Sequence, residues 1–279
     1  MDTFRYYSLP DLYVKINSGL YKLFRTAIAH LIVYFAMEKQ STGEKYMELL
    51  QNLNDEQKKA VLHKDGPLLI LAGAGSGKTR VLTHRIAYLI KEHGISPSSI
   101  LAITFTNKAA NEMKERVAGL LGDLSQDMWV CTFHSMCVRI LRRDIEKIGY
   151  GRNFVIFDSS DQQTLLRECL KELNLNEKNF PVKAVLDQIG RAKDELITPD
   201  DFMRMYEADF RMSNVAKIYK LYQRKLVQNN ALDFDDIIMQ TIKLFLDNPP
   251  VLEYYWNKFK YILVDEYQDT NTAQYSLVS

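Results

Sequence analysis

The 279 residues carry a net charge of +1, with 47% hydrophobic and 25% charged residues, which is typical of a globular protein with one or two cores. Because the chain has no overall basic charge, any contact with nucleic acid has to come from a local surface. The three cysteines, Cys131, Cys137 and Cys169, have neither CxxC nor Cys/His metal spacing, which favours a reducing, cytoplasmic location.

Residues 1–51 differ from the rest and are interpreted as an N-terminal extension made of a helix and a linker. The apolar run Ala27–Met37 is too short to span a bilayer, and no clean cleavage site of a signal peptide follows it. We therefore expect an amphipathic helix there, followed by a polar linker at Gln40–Lys45. Residues 1–46 contain no assignable motif, so their deletion is expected to change the free energy of unfolding by at most about 1 kcal/mol.

The next segment, Leu53–Leu62, is predicted to be a helix. Asn54 at its start and Gln57 three residues later have the spacing of a capping box. The Gln57 amide also matches the N6 and N7 edge of adenine, which an amide can bind with two hydrogen bonds. Spacing alone favours the cap, although the two roles do not exclude each other.

An apolar strand, Leu68–Leu71, then leads into a loop of small residues that opens a helix, the setting of a phosphate-binding loop. We expect its glycines to allow backbone angles that turn successive N–H groups around a phosphate. Lys78 can reach the β- and γ-phosphates, and the Thr79 hydroxyl can ligate magnesium. The predicted phosphate-binding residues are Ala72, Gly73, Ala74, Gly75, Ser76, Gly77, Lys78 and Thr79.

Two further strands are predicted after this helix, which should end at Gly94 and Pro97. They are Ile100–Phe105, which is followed by a helix to about Leu121, and Met128–Phe133. Strands that alternate with helices predict a parallel sheet with its sites at the carboxyl ends of the strands.

From residue 134 to 229 the pattern is almost wholly helical, with one short strand at Phe154–Phe157. Ser159 or Ser160 is expected to cap the next helix, and Pro181 and Pro199 stand where helices should begin. We interpret this region as an all-α insertion, and a helical bundle without a ligand accounts for its spacing.

Two acidic segments follow. Asp233-Phe234-Asp235-Asp236 begins an apolar helix, where acids are favourable with the helix dipole alone, so a structural and a functional reading stay equally open. Tyr261–Val264 is a buried strand from which Asp265 and Glu266 emerge. There Asp265 can hold magnesium, and Glu266 can orient and deprotonate an attacking water.

Together these segments resemble the amino-terminal part of superfamily 1 DNA helicases of the UvrD/Rep/PcrA type, PcrA members most closely, over all but the first fifty or so residues. Six motifs in the family's order carry the resemblance: Leu53–Gln57, Ala72–Thr79, Thr104–Ala110, Thr132–Ser135, Leu232–Asp236 and Asp265–Thr270.

The resemblance implies an α/β fold with an incomplete RecA-like domain, 1A, at residues 52–133 and 230–279, and an all-α insertion, 1B, at residues 134–229. It implies ATP and Mg²⁺ as cofactors, with Gln57 on adenine and Thr79 and Asp265 on the metal. The implied catalytic residues are Lys78, Thr79, Asp265, Glu266 and Gln268, the last near the γ-phosphate.

The resemblance also implies a path for single-stranded DNA along Thr104, Phe105, Asn107, Thr132, Phe133 and His134. An aromatic ring such as that of Phe105 can stack on any base, and threonine and asparagine side chains can hold phosphates. The expected function is ATP-driven movement along single-stranded DNA and unwinding at duplex junctions in repair or replication. The expected location is the cytoplasm, without a membrane.

The sequence leaves two other functions possible. One is the helicase subunit of a RecB/AddA-type nuclease complex, against which the compact helical insertion speaks. The other is a nucleotide- and DNA-binding module without turnover. Since the family's arginine fingers and second RecA-like domain would lie beyond Ser279, we expect these residues alone to bind ATP and single-stranded DNA weakly without unwinding.

Overall fold

The computed structural model describes residues 5–8, 47–63, 66–73 and 75–279. The helix predicted over Ala27–Met37 and the linker predicted at Gln40–Lys45 lie outside these ranges, as does Ala74 of the phosphate-binding loop.

Up to residue 132 the described residues form four strands and four α-helices, besides two short 3-10 helices. In chain order they are β1 (Arg5–Ser8), α1 (Met47–Leu50), α2 (Asp55–Leu62), β2 (Leu68–Leu71), α3 (Lys78–His93), β3 (Ile100–Thr104), α4 (Asn107–Leu121) and β4 (Trp129–Thr132).

Beyond residue 132, helices predominate, as predicted for the insertion. In chain order the elements are α5 (Phe133–Asp144), β5 (Val155–Ile156), α6 (Ser159–Glu172), α7 (Val182–Asp194), α8 (Pro199–Met205), α9 (Phe210–Gln228), β6 (Ala231–Leu232), α10 (Phe234–Asp247), α11 (Pro249–Lys258), β7 (Tyr261–Val264) and α12 (Thr272–Val278).

These elements belong to two compact units. Unit 1 contains the described residues up to Thr132 together with Tyr254–Gln268 and Val278–Ser279. Unit 2 contains Phe133–Glu253 and Asp269–Leu277.

Unit 1 contains a parallel sheet with β3 in the middle. Leu101 of β3 pairs with Trp129 of β4 on one side and with Ile262 of β7 on the other. Every residue of β3 is buried, as expected for a central parallel strand covered on both faces. The predicted α/β class with a parallel sheet is thereby confirmed.

The strand that leads into the phosphate-binding loop is paired differently. Among the described residues, β2 is hydrogen-bonded to β1 in antiparallel register, with Arg5 opposite Leu71 and Ser8 opposite Leu68. The sequence analysis assigned no strand to this part of the extension. Backbone pairing along a strand edge needs no side-chain motif, so it left no signal to predict from.

Helices α2, α3 and α4 cover the strands of unit 1. Ile86 and Leu89 of α3 and Met113 of α4 pack in one cluster with the buried side chains of the parallel sheet. Ala60 and Val61 of α2 pack with Val81 and Tyr88 of α3 in a second cluster. As predicted, α3 ends at Gly94, whose φ of 63° is left-handed.

Unit 2 has one large core formed mainly by α6, α7 and α9, with Tyr219 and Tyr222 among its fully buried side chains. The short strands β5 and β6 pair in parallel, Val155 opposite Ala231. The cap predicted at Ser159 or Ser160 is wrong. Asp158 caps α6, because its carboxylate accepts from the N–H groups of Ser160 and Asp161 at 2.7 and 2.9 Å.

Candidate functional site

The loop between β2 and α3 turns at two glycines. Gly75 and Gly77 have φ values of 75° and 90°, which other residues rarely adopt. Gly73 lies outside this left-handed region, so the expectation that it needs the same freedom is wrong. The Ser76 N–H and hydroxyl both donate to the Gly73 carbonyl, at 3.3 and 2.6 Å, and close the turn.

The first turn of α3 faces this loop. Gly77 is the N-cap and provides no side-chain hydrogen bond, so the first N–H groups of the helix have no capping side chain. Nζ of Lys78 donates to the Ala72 carbonyl at 3.0 Å and lies 3.4 Å from the Gly73 carbonyl oxygen. A positive helix end and an ammonium group thus meet at one short loop, an arrangement that suits a phosphate.

The capping box predicted at the start of α2 is confirmed. The Asn54 side chain accepts from the Gln57 N–H at 2.9 Å, and Gln57 Oε1 accepts from the Asn54 N–H at 3.1 Å. The same side chain also reaches the loop, since Gln57 Nε2 donates to the Ser76 carbonyl at 2.9 Å. Gln57 is 8% exposed.

The two predicted magnesium ligands lie side by side. The Thr79 hydroxyl donates to Oδ2 of Asp265 at 3.1 Å, and the Asp265 Oδ1 atom accepts from the Glu266 N–H at 3.1 Å. Burial raises the pKa of Asp265 above its ordinary value, with the Thr79 hydrogen bond opposing the rise. A buried carboxylate beside a hydroxyl is a donor set that suits Mg²⁺.

Glu266 has an unusual backbone. Its φ of 54° lies in the left-handed region, which is costly for a residue that is neither glycine nor asparagine. The Gln268 side chain donates through Nε2 to Oε2 of Glu266. Backbone strain of this kind is typical of functional positions, and here it falls on the predicted general base.

The residues predicted to contact DNA differ in their exposure. Thr104 and Thr132 are opposite each other at the ends of β3 and β4, and they are 1% and 7% exposed. The Thr104 hydroxyl donates to the Thr106 carbonyl at 3.1 Å. In unit 1, half-buried Phe105 and exposed Asn107 are therefore the two members of this set that are not buried.

In unit 2, Phe133 is buried, whereas the neighbouring His134 takes part in an aromatic pair. The His134 ring stacks on Phe234 with centroids 3.7 Å apart and 19° between the planes. Burial lowers the pKa of His134 to about 4, so the ring is neutral near pH 7. Phe234 remains 54% exposed. The sequence analysis did not predict that Phe234 is exposed. Its position in the first turn of a helix, between acidic residues, could have indicated this exposure.

The acids around Phe234 have structural roles. The Asp233 carboxylate caps α10 by accepting from the Asp236 N–H at 2.8 Å. The ammonium of Lys193 lies 2.6 Å from Oδ2 of Asp233 and 2.9 Å from Oδ1 of Asp236. The sequence analysis did not single out Lys193, because a lysine in the last turn of a helix normally faces solvent.

No cluster of three or more histidine, cysteine, aspartate or glutamate residues that could hold a metal ion occurs in the described part of the chain. Thr79 and Asp265 offer one hydroxyl and one carboxylate, oxygen donors of the kind that Mg²⁺ prefers. None of the described helices is long and apolar enough to cross a membrane.

The family model described as the UvrD/REP helicase N-terminal domain matches residues 53–279. The chain is 58% identical over 230 residues to the ATP-dependent DNA helicase PcrA of Staphylococcus epidermidis RP62A, covering 82% of this chain and 31% of that protein. It is 57% identical over 230 residues, with the same coverage, to the ATP-dependent DNA helicase PcrA of Staphylococcus aureus Mu50.

The chain thus spans about a third of the length of the curated relatives it matches. The resemblance that rested on six short motifs extends through most of the sequence and is confirmed. The chain belongs to the UvrD/REP helicase N-terminal domain family.

Proposed function

We propose that this chain supplies the ATP-binding part, and a strand-contacting surface, of an ATP-dependent DNA helicase that moves along single-stranded DNA. The observation that carries the proposal is the 3.1 Å hydrogen bond between Thr79 and Asp265, which are 186 positions apart. It joins the phosphate-binding loop to the acidic pair at the end of β7. The family membership and the names of the relatives support the same function.

The five predicted catalytic residues would divide the work of hydrolysis. Magnesium held by Thr79 and Asp265 would neutralise charge on the phosphates. Lys78 would bind the β- and γ-phosphates through its ammonium group. Glu266 would orient the attacking water and accept its proton, and Gln268, already bonded to Glu266, would lie beside that water.

The adenine contact proposed for Gln57 is compatible with its two observed hydrogen bonds. An amide oxygen can accept two hydrogen bonds and an amide nitrogen can donate two. Oε1 already accepts one hydrogen bond, from the Asn54 N–H, and Nε2 already donates one, to the Ser76 carbonyl. One acceptor and one donor position are left, which is what a two-bond contact with adenine requires.

For DNA, we propose that bases stack on Phe105 in unit 1 and on the His134–Phe234 pair in unit 2. A neutral histidine ring offers a stacking face without adding charge, and the half-exposed Phe234 ring extends that face. Stacking on rings does not depend on the base, so binding should be independent of sequence. Asn107 would hold a phosphate beside Phe105.

The two units correspond in part to the two domains that the family resemblance implies. We propose that unit 1, with its parallel sheet and phosphate-binding loop, is the RecA-like domain 1A. Unit 2, with its helical core, contains the proposed insertion 1B at residues 134–229, and also residues 230–253 and 269–277, which the sequence analysis assigned to 1A. The substrates would be single-stranded DNA and duplex junctions.

Calorimetry with Mg²⁺ and a non-hydrolysable ATP analogue tests the nucleotide site. Lys78→Ala should abolish measurable binding without lowering the melting temperature by more than a few degrees. The matched control is Lys91→Ala, an exposed lysine near the other end of α3, which should bind as the wild type does. Equal affinity in Lys78→Ala and Lys91→Ala would overturn the assignment.

Fluorescence anisotropy with a labelled oligo-dT tests the DNA surface. Phe105→Ala and Phe234→Ala should each weaken binding by about tenfold, the scale of one lost base–aromatic stack. Exposed Phe210, 86% accessible on α9, provides the control, and Phe210→Ala should leave affinity unchanged. Measuring ATP hydrolysis with and without this oligonucleotide separates a motor from a binding module without turnover.

A further inference from the structure

The buried ammonium of Lys193 lies where three helices of unit 2 meet. Its side chain is 0% exposed, and it contacts Asp233 and Asp236 at the start of α10. From α9, the Tyr222 hydroxyl donates to Oδ2 of Asp233 at 3.1 Å, and Gln223 Nε2 donates to Oδ1 of Asp236 at 2.9 Å. Burial alone would lower the pKa of Lys193, but the two carboxylates outweigh it and raise the pKa, so the lysine is charged.

These same two carboxylates form the capping box of α10. Asp233 accepts from the Asp236 N–H at 2.8 Å, and Asp236 accepts from the Asp233 N–H at 3.3 Å. Phe234 lies between them in the chain, and its ring is the one stacked on His134. The buried lysine therefore fixes the backbone from which the exposed Phe234 ring projects.

The two residues after Lys193 make a second connection. Oδ1 of Asp194 accepts from Nδ2 of Asn271 at 2.6 Å, and Oε2 of Glu195 accepts from the Thr272 hydroxyl at 2.7 Å. Asn271 in turn caps α12, since its Oδ1 accepts from the Gln274 N–H at 2.8 Å. Asn271 is the fifth residue after Glu266, so this cap closely follows the catalytic acids in the chain.

We propose that the tripeptide Lys193-Asp194-Glu195 is a positioning element that connects the segment following Asp265 and Glu266 to the start of α10. Through it, nucleotide binding and single-strand binding influence each other. This proposal rests on the proposed function. It goes beyond that function because it names the residues that join the two sites.

The mechanism requires the covalent connection from Gln268 to Asp269 and, after it, only short-range contacts within unit 2. A shift in the chain after Gln268 would move Asn271 and Thr272, and their hydrogen bonds would pull on Asp194 and Glu195. Lys193 precedes Asp194 directly, and close-packed surroundings would pass its displacement to the two acids around Phe234. Coupling of this kind is reciprocal, so DNA must change nucleotide affinity by the same factor as nucleotide changes DNA affinity.

The test measures that factor in the 279-residue chain. The affinity for the magnesium complex of adenosine 5′-(β,γ-imido)triphosphate is measured by calorimetry with and without saturating oligo-dT. We expect a change of about fivefold or more in the wild type. Asn271→Ala should reduce the change to less than about twofold, while its affinity for each ligand alone stays close to the wild-type value. Loss of the α12 cap should lower its melting temperature by only a few degrees.

Two controls sharpen the result. Lys220→Ala removes an exposed ion pair with Asp200 in the same unit and should leave the coupling intact. The double variant Asp194→Ala/Asn271→Ala should lose no more coupling than Asn271→Ala alone. Each of the two substitutions removes the same hydrogen bond, the one between Asp194 and Asn271.

The outcomes separate the two proposals. If the wild type binds both ligands but Asn271→Ala couples them as strongly as Lys220→Ala does, the inference is wrong and the proposed function stands. The same conclusion follows if the wild type binds both ligands without coupling. If the wild type binds neither ligand, the proposed function fails and the inference fails with it.

Discussion

The side-chain amide of Gln57 donates to the backbone carbonyl of Ser76 at 2.9 Å, across 19 positions of sequence. The candidate adenine contact and the phosphate-binding loop are therefore parts of one hydrogen-bonded structure. A Cβ built on Gly77 would lie 2.9 Å from Nε2 of Gln57, so a side chain there would displace the Gln57 amide, and the φ of 90° is itself one that favours glycine.

Gly77→Ala should damage both stability and nucleotide binding. The left-handed backbone and the contact with Gln57 together should lower the free energy of unfolding by about 1–3 kcal/mol. The affinity for ATP should fall by about tenfold or more, equivalent to about 1.4 kcal/mol, because Gln57 must move. Chemical denaturation and calorimetry measure the two effects.

Gly119→Ala is the matched control for this substitution. Gly119 lies inside α4, has no left-handed backbone and leaves its Cβ position open. The alanine should raise the free energy of unfolding by about 0.5–1 kcal/mol, because glycine is a poor helix former. Equal effects of the two substitutions would contradict the role given to Gly77.

Because Glu266 has a left-handed backbone, two substitutions at this position should affect activity alike but stability differently. Glu266→Gln and Glu266→Asn both remove the proposed general base, so both should reduce the single-turnover rate of ATP hydrolysis by roughly 10²–10⁴. Asparagine tolerates the observed φ of 54° better than glutamine does. Glu266→Asn should therefore be the more stable variant, by roughly 0.5–1 kcal/mol. A less stable Glu266→Asn would show that this backbone angle carries no strain.

The His134–Phe234 stack predicts an abnormal histidine titration. Burial lowers the pKa of His134 to about 4 from its ordinary value of 6.5. NMR of the histidine Hε1 signals, assigned with His134→Ala, should show this midpoint in the wild type. Phe234→Ala uncovers one face of the ring and should raise the midpoint toward 6.5. An unchanged midpoint would mean that Phe234 does not cover the ring.

The lowered pKa of His134 also predicts how the stability of the protein depends on pH. Between about pH 4 and 6.5 the unfolded chain binds a proton at His134 that the folded chain does not bind. The contribution of His134 to stability must then fall as the pH is lowered through this window, and rise as the pH is raised. In His134→Ala this contribution should be missing, so the difference in melting temperature between pH 4.5 and 6.5 should be smaller than in the wild type.

The pairing of β1 with β2 changes the expectation for the N-terminal extension. Deletion of residues 1–8 removes four paired positions from the strand that leads into the phosphate-binding loop. We expect this deletion to cost more than about 1 kcal/mol, since each lost backbone hydrogen bond is worth about 0.5–1.5 kcal/mol. Deletion of residues 1–4, which leaves β1 in place, is the control. Identical denaturation midpoints for the two deletions would restore the original expectation that the extension is dispensable.

The features that the sequence predicted well are local. The capping box of Asn54 and Gln57 and the helix end at Gly94 each depend on residues within a few positions of one another. The pairing of Thr79 with Asp265 could also be predicted, because both motifs have fixed chemical partners on a nucleotide.

The features that it missed depend on distant partners. Lys193 gains its role from Asp233, 40 positions away, and nothing within its own helix indicates burial. Asp158 was passed over for the adjacent serines, although its carboxylate can accept from two N–H groups at once. Phe234 was grouped with a motif, but its exposure beside His134 depends on how α5 and α10 pack.

The distance in sequence between Thr79 and Asp265 has a consequence for biosynthesis. The 186 positions that separate them take roughly 10–40 s to translate at the usual rate of roughly 5–20 residues per second. During that interval the nascent chain contains Thr79 without the Asp265 carboxylate that its hydroxyl contacts in the folded protein. A nascent chain therefore brings Thr79 and Asp265, the proposed magnesium ligands, together only after nearly all of unit 2 has been made.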